Sequence, residues 1–87
     1  MLRQLQEFLP APALLYPNPA ARQLFVRASG DLPVSLAFFD TRGSLRATHR
    51  VRGNGVPVDV SVLPAGLYLV RVQYGKLFFT QKINLIR

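Results

Sequence analysis

Cysteine and tryptophan are absent from this 87-residue chain, and histidine occurs once. Without cysteine there is no disulfide framework, no thiolate metal site and no cysteine nucleophile. With His49 alone, no histidine spacing exists that would hold a metal. Acids are also scarce: Glu7, Asp31, Asp40 and Asp59 are the whole set. An acid/base site needs at least two titratable groups brought together. These four fall in the N-terminal segment, at turns, or on an outward strand face, where turn chemistry or solvation explains them. No apolar run approaches the ~18 residues of a membrane-spanning helix. None of the six glycines stands in a phosphate-loop or dinucleotide-binding context. Catalytic, metal and cofactor residues are therefore predicted to be none.

What the chain does have is apolar residues, turn residues and positive charge. Hydrophobic residues make up 49%, too many for intrinsic disorder. The length suits one domain. Eleven Lys and Arg against four acids give a net charge of +7, and nine of the eleven are Arg. Such a surface favours polyanions, without choosing among them.

Met1 to Ala13 reads as a leader or linker. Met1 to Phe8 could make one or two helical turns, but Pro10 and Pro12 forbid their continuation. With Glu7 and no continuous apolar stretch, the segment does not read as a secretory signal peptide; if the domain is exported, its signal is expected elsewhere, or the chain is a fragment of something longer.

Residues 14–87 read as short strands. Leu24, Val26 and Ala28 share one face, as do Val34, Leu36 and Phe38, with Phe39 breaking the alternation. Ser44 to Arg52 places Leu45, Ala47, His49 and Val51 on one side. Val56, Val58, Val60 and Val62 point one way, and so do Tyr68, Val70, Val72 and Tyr74. Lys76 to Arg87 is the last strand, with a bend predicted near Thr80 to Lys82. Asp40-Thr41-Arg42-Gly43 and Leu63-Pro64-Ala65-Gly66 both fit type I turns. Ser29-Gly30-Asp31, Gly53-Asn54-Gly55 and Tyr74-Gly75-Lys76 supply further reversals. With a short strand near Ala13 to Tyr16, this makes about seven strands at antiparallel spacing, an all-β sandwich or barrel. No interval can hold a crossover helix.

Two features invite a functional reading. His49, on the apolar side of its strand, fits a partly buried, hydrogen-bonded imidazole better than a site residue. Arg46, Arg50 and Arg52 lie along one strand face, with Arg27 and Arg71 able to join from neighbours. This stripe suits an ordinary solvated face. It also suits a polyanion face, the basis for an alternative reading as a basic adhesion module that binds a glycan. Nucleic acid is not expected as a partner, because most aromatics take core positions rather than stacking positions.

Specific motifs say more. Leu15-Tyr16-Pro17-Asn18-Pro19-Ala20, then Asp40-x-x-Gly43, then Val58-Asp59-Val60-Ser61-Val62-Leu63-Pro64-Ala65-Gly66-Leu67-Tyr68-Leu69-Val70, then Gly75 and Lys82-Ile83 occur in this order. Together they resemble the type A C-terminal sorting domain of the type IX secretion system of Bacteroidota. The resemblance spans Leu14 to Arg87. It implies an immunoglobulin-like antiparallel β-sandwich of about seven strands over residues 14–87. It implies no enzyme activity and no cofactor. Its function would be to carry cargo through the periplasm to the outer-membrane translocon. Shuttle and sortase proteins of the system would be partners, and cleavage in the leader would end in release or attachment to anionic lipopolysaccharide at the cell surface. Tyr16, Pro17, Asn18, Pro19, Asp40, Gly43, Leu63, Pro64, Ala65, Gly66, Tyr68, Gly75 and Lys82 are the recognition candidates. Pro17 and Pro19 deny donors to a neighbour, which predicts an edge segment there. An exposed edge strand also allows pairing between two copies.

Overall fold

A computed structural model describes residues 13–28, 30 and 32–87. The reading of residues 1–12 as leader, and both ends of the Ser29-Gly30-Asp31 turn, lie outside the described residues. Seven strands follow one another: β1 (Ala13–Tyr16), β2 (Gln23–Ala28), β3 (Val34–Phe39), β4 (Leu45–Val51), β5 (Val56–Asp59), β6 (Gly66–Tyr74) and β7 (Leu77–Leu85). They form two antiparallel sheets, ordered β1-β2-β5 and β4-β3-β6-β7. The fold is an all-β sandwich. A constant-type immunoglobulin sandwich places its fourth strand with the first, second and fifth. Here the fourth strand pairs with the third instead.

The alternation read from the sequence builds the core. Leu24 and Val26 from one sheet face Val34, Leu36, Phe38, Val70, Val72 and Ile83 from the other, all 2% exposed or less. Burying each such side chain stabilises the fold by roughly 1.5–3 kcal/mol. β1 is an edge strand, as the prolines after it require.

Three expectations need correction. Val58 and Val60 are buried, but Val62 is 83% exposed. β5 ends at Asp59, and a turn closed by Leu63 N–H on Val60 O at 3.0 Å delivers Leu63 to the core in its place. β4 is an edge strand whose inward side is only half covered, and Leu45 is 55% exposed. Phe39, apolar at an outward position, leaves the alternation of β3 intact; the irregularity lies in β4, where Phe38 pairs with Ala47 but Phe39 with Leu45, leaving Arg46 as the extra residue of a β-bulge. β7 runs from Leu77 to Leu85 against β6 with no break in register, so the predicted bend has no counterpart in the pairing. At the Leu63-Pro64-Ala65-Gly66 turn the Leu63 carbonyl accepts from Arg87.

Candidate functional site

Each motif is held by its own local chemistry. Gly43 N–H donates to Asp40 O at 2.9 Å, and Asp40 N–H donates to Ser44 O at 3.0 Å. Gly43 has φ 87°, the left-handed region where a Cβ is costly. Asp40 fills the turn with its carboxylate. Oδ1 accepts from the N–H groups of Arg42 and Ser44, both at 3.0 Å, and Oδ2 lies 3.3 Å from the Arg46 guanidinium. The Ser44 N–H leads in holding this carboxyl below its ordinary pKa, with Arg42 and Arg46 adding to it. Asp59 plays the same part at the end of β5. The Ser61 hydroxyl, with its N–H at 2.9 Å, holds that carboxyl below the ordinary range.

Tyr68 points its ring into the core and its hydroxyl back along the chain, donating to Pro64 O at 2.5 Å. This is a tyrosine corner, the device that fixes the turn before the sixth strand of a sandwich. Ala65 and Pro64 sit exposed on that turn.

The Tyr16-Pro17-Asn18-Pro19 segment and the end of β7 are stitched together. Gln81 Nε2 donates to Leu15 O at 2.8 Å, and Gln81 Oε1 accepts from Leu15 N–H at 3.0 Å. Asn18 Nδ2 donates to Lys82 O at 2.9 Å, and its Oδ1 accepts from Asn84 N–H at 3.0 Å. Ala20 continues the seam through bonds with Asn84 O and Ile86 N–H. Two side-chain amides thus imitate strand pairing where prolines forbid it. Both X-Pro bonds of the motif are cis. Arg87 then donates to the carbonyls of Ala21, Val60 and Leu63, tying the chain end to the turn before the tyrosine corner.

All of these features lie at one pole of the sandwich. The strand registers put the ends of β1, β3 and β7 and the starts of β2, β4 and β6 there. The Asp40–Gly43 turn and the Pro64–Tyr68 turn share a shallow pocket of about 330 Å³. The opposite pole receives the chain at Ala13, which pairs with Ala28. Gly75 belongs to that far pole, at the β6–β7 turn, and so is not brought to the other motif residues.

The sequence model of one protein family, the secretion system C-terminal sorting domain, matches residues 14–86. The chain belongs to this family. No curated protein matches it. The sorting domain is thus a signal of the type IX secretion system, a family of sorting signals and not of enzymes. Such a signal marks a protein for export to the cell surface or beyond, and implies contact with the type IX machinery.

The arginine stripe is not one surface in the sorting domain. Arg46 is engaged with Asp40. Arg27 stands on the other sheet, its guanidinium 5.5 Å from the centre of the Tyr16 ring, which stacks on Phe25 at 5.7 Å. Arg52 falls beyond the end of β4. Arg50 and Arg71 remain on the outer face of the four-stranded sheet, and Arg71 lies 4.8 Å over the Phe78 ring. His49 is partly buried, edge-on to Phe38 at 5.8 Å. The hydrogen bond expected of its imidazole is not formed among the described residues. No cluster of three potential metal ligands occurs among them either.

Sequence reasoning missed Gln81, Asn84 and Arg87 as the residues that join the motifs. Their partners lie 24 to 66 positions away, so no local pattern carries the pairing. One hint existed: Gln81 is polar on the inward-facing side of an apolar strand, which demands a partner.

Proposed function

We propose that this chain docks on the type IX translocon through the pole where its motifs meet. Tyr16 to Pro19, Asp40, Gly43, Leu63 to Gly66, Tyr68 and Lys82 would make or support the surface that is read. The observation that carries this is the seam of Asn18 and Gln81, which fuses the two chain ends of the domain into one shape. Cargo enters at the far pole through Ala13, so a folded cargo leaves the motif pole uncovered. Residues 1–13 act as the linker, and a sortase cuts within residues 6–13 after passage through the periplasm.

The seam also bears on how docking occurs. The edge of β7 is covered by residues 15–20, so a partner strand cannot add there without breaking the seam. Recognition is therefore of a formed surface.

Fusing Met1 to Arg87 behind a periplasmic reporter in a type IX-competent bacterium tests the reading. The reporter is expected in the medium or on the cell surface. Retention in the periplasm would overturn it. Removal of Gln81 to Arg87 is expected to abolish export, and normal export of that truncation would show that the last strand is not read.

A further inference from the structure

We propose that the outer face of the four-stranded sheet carries a binding groove for an acidic saccharide, separate from the docking pole. Small side chains form its floor: Ala37 pairs across with Thr48 and Arg71, and Ser35 pairs with Arg50 and Gln73. Longer side chains form its walls, with Phe78 of β7 opposite Gln73. The groove is shallow and open to solvent, with a volume of about 430 Å³, within the ~300–1,000 Å³ of small-molecule sites.

The chemistry of the walls selects the ligand. Arg50 and Arg71 are exposed, and neither has a carboxylate partner among the described residues. A guanidinium takes a carboxylate through two parallel N–H bonds. The Ser35 and Thr48 hydroxyls both donate and accept, as sugar hydroxyls require. Gln73 uses Nε2 weakly on Gly75 O at 3.4 Å, leaving its carbonyl oxygen to accept. Phe78, 54% exposed, offers an apolar ring held in place by Arg71. A bare phosphate could take the two cations and the hydroxyls but would leave the Phe78 ring unused. A nucleic acid would need a row of stacking rings. Two cations, two hydroxyls, an amide and one ring together suit a uronate sugar.

The experiment is an amide-resolved NMR titration of the full chain with a tetrasaccharide of alternating glucuronate and N-acetylglucosamine. Saturable shifts are expected at Ser35, Ala37, Thr48 and Gln73, weakening as salt screens the charges. Arg50→Ala and Arg71→Ala are each expected to weaken binding about tenfold, the loss of one charge-assisted contact. Ala37→Leu fills the floor and leaves the charge unchanged; it should weaken binding as much. Arg22→Ala, just before β2 and away from the groove, should leave binding unchanged. Unfolding curves establish that each variant is folded. Absence of a saturable shift, unchanged binding by Ala37→Leu, equal binding of a neutral N-acetylglucosamine tetramer, or the same shifts from inorganic phosphate at equal concentration would each overturn the proposal. Export of the reporter fusion by Arg50→Ala and Arg71→Ala is expected to stay normal, so this site and the docking pole fail separately.

Discussion

At the scale of single residues, the motif positions act on the backbone. Asp40 and Tyr68 satisfy or fix main-chain groups at two turns that face each other across a shallow pocket. Tyr68→Phe removes only the hydroxyl, leaving the ring in the core. It is expected to cost about 0.5–1.5 kcal/mol in denaturant unfolding, the net worth of one hydrogen bond. Gly43→Ala forces a side chain into the left-handed region, and about 1–2 kcal/mol is expected to be lost, by the same measurement. The two carboxylates give a pH signature. Both have folded-state pKa values lowered relative to the unfolded chain. Their contribution is therefore complete above the ordinary carboxylate pKa and is lost as pH falls through the lowered folded values. Melting temperature should drop on the acid side for that reason. In Asp40→Asn the drop should be shallower, because one of the two linked protons is gone.

Elements were legible where alternation alone decides a strand. β2, β3 and β6 show inward residues at every second position, and the structure buries them, Ala28 only in part. Reading failed where a strand stopped early or stood at an edge. Val62 continued a perfect valine alternation, yet the turn tied by Asp59 and Ser61 ended β5 first. Leu45 looked inward, but β4 has a neighbour on one side only and a bulge at its start. Arg27 looked like a member of the arginine stripe until pairing placed it on the other sheet. The seam between β1 and β7 was illegible for a related reason, since it joins side chain to backbone across 66 positions. Gln81→Leu tests its weight. Leu15 is buried, so its N–H and C=O would lose partners they cannot regain from water. A loss of about 1–3 kcal/mol is expected, with faster amide exchange at Leu15 and little change at Val70.

The molecule as a whole is polar in the geometric sense, with chain entry at one end and the sorting motifs at the other. β6, nine residues at about 3.3 Å each, sets a separation of roughly 30 Å between them. Orientation of a fused partner should therefore matter more than its size. A reporter placed before Met1 is expected to be exported, and the same reporter placed directly after Arg87 is expected to stay inside, as fractionation of the culture would show. The clasp made by Arg87 has a consequence during synthesis. A ribosome releases β7 and this arginine after every other piece of the domain. Until then the bonds that Gln81, Asn84 and Arg87 make to Leu15, Asn18, Val60 and Leu63 are missing, and the nascent domain lacks its seam. A message cut short, or a translation event that stalls, yields a product without the seam. Docking on the motif pole would thereby make export depend on a completed domain.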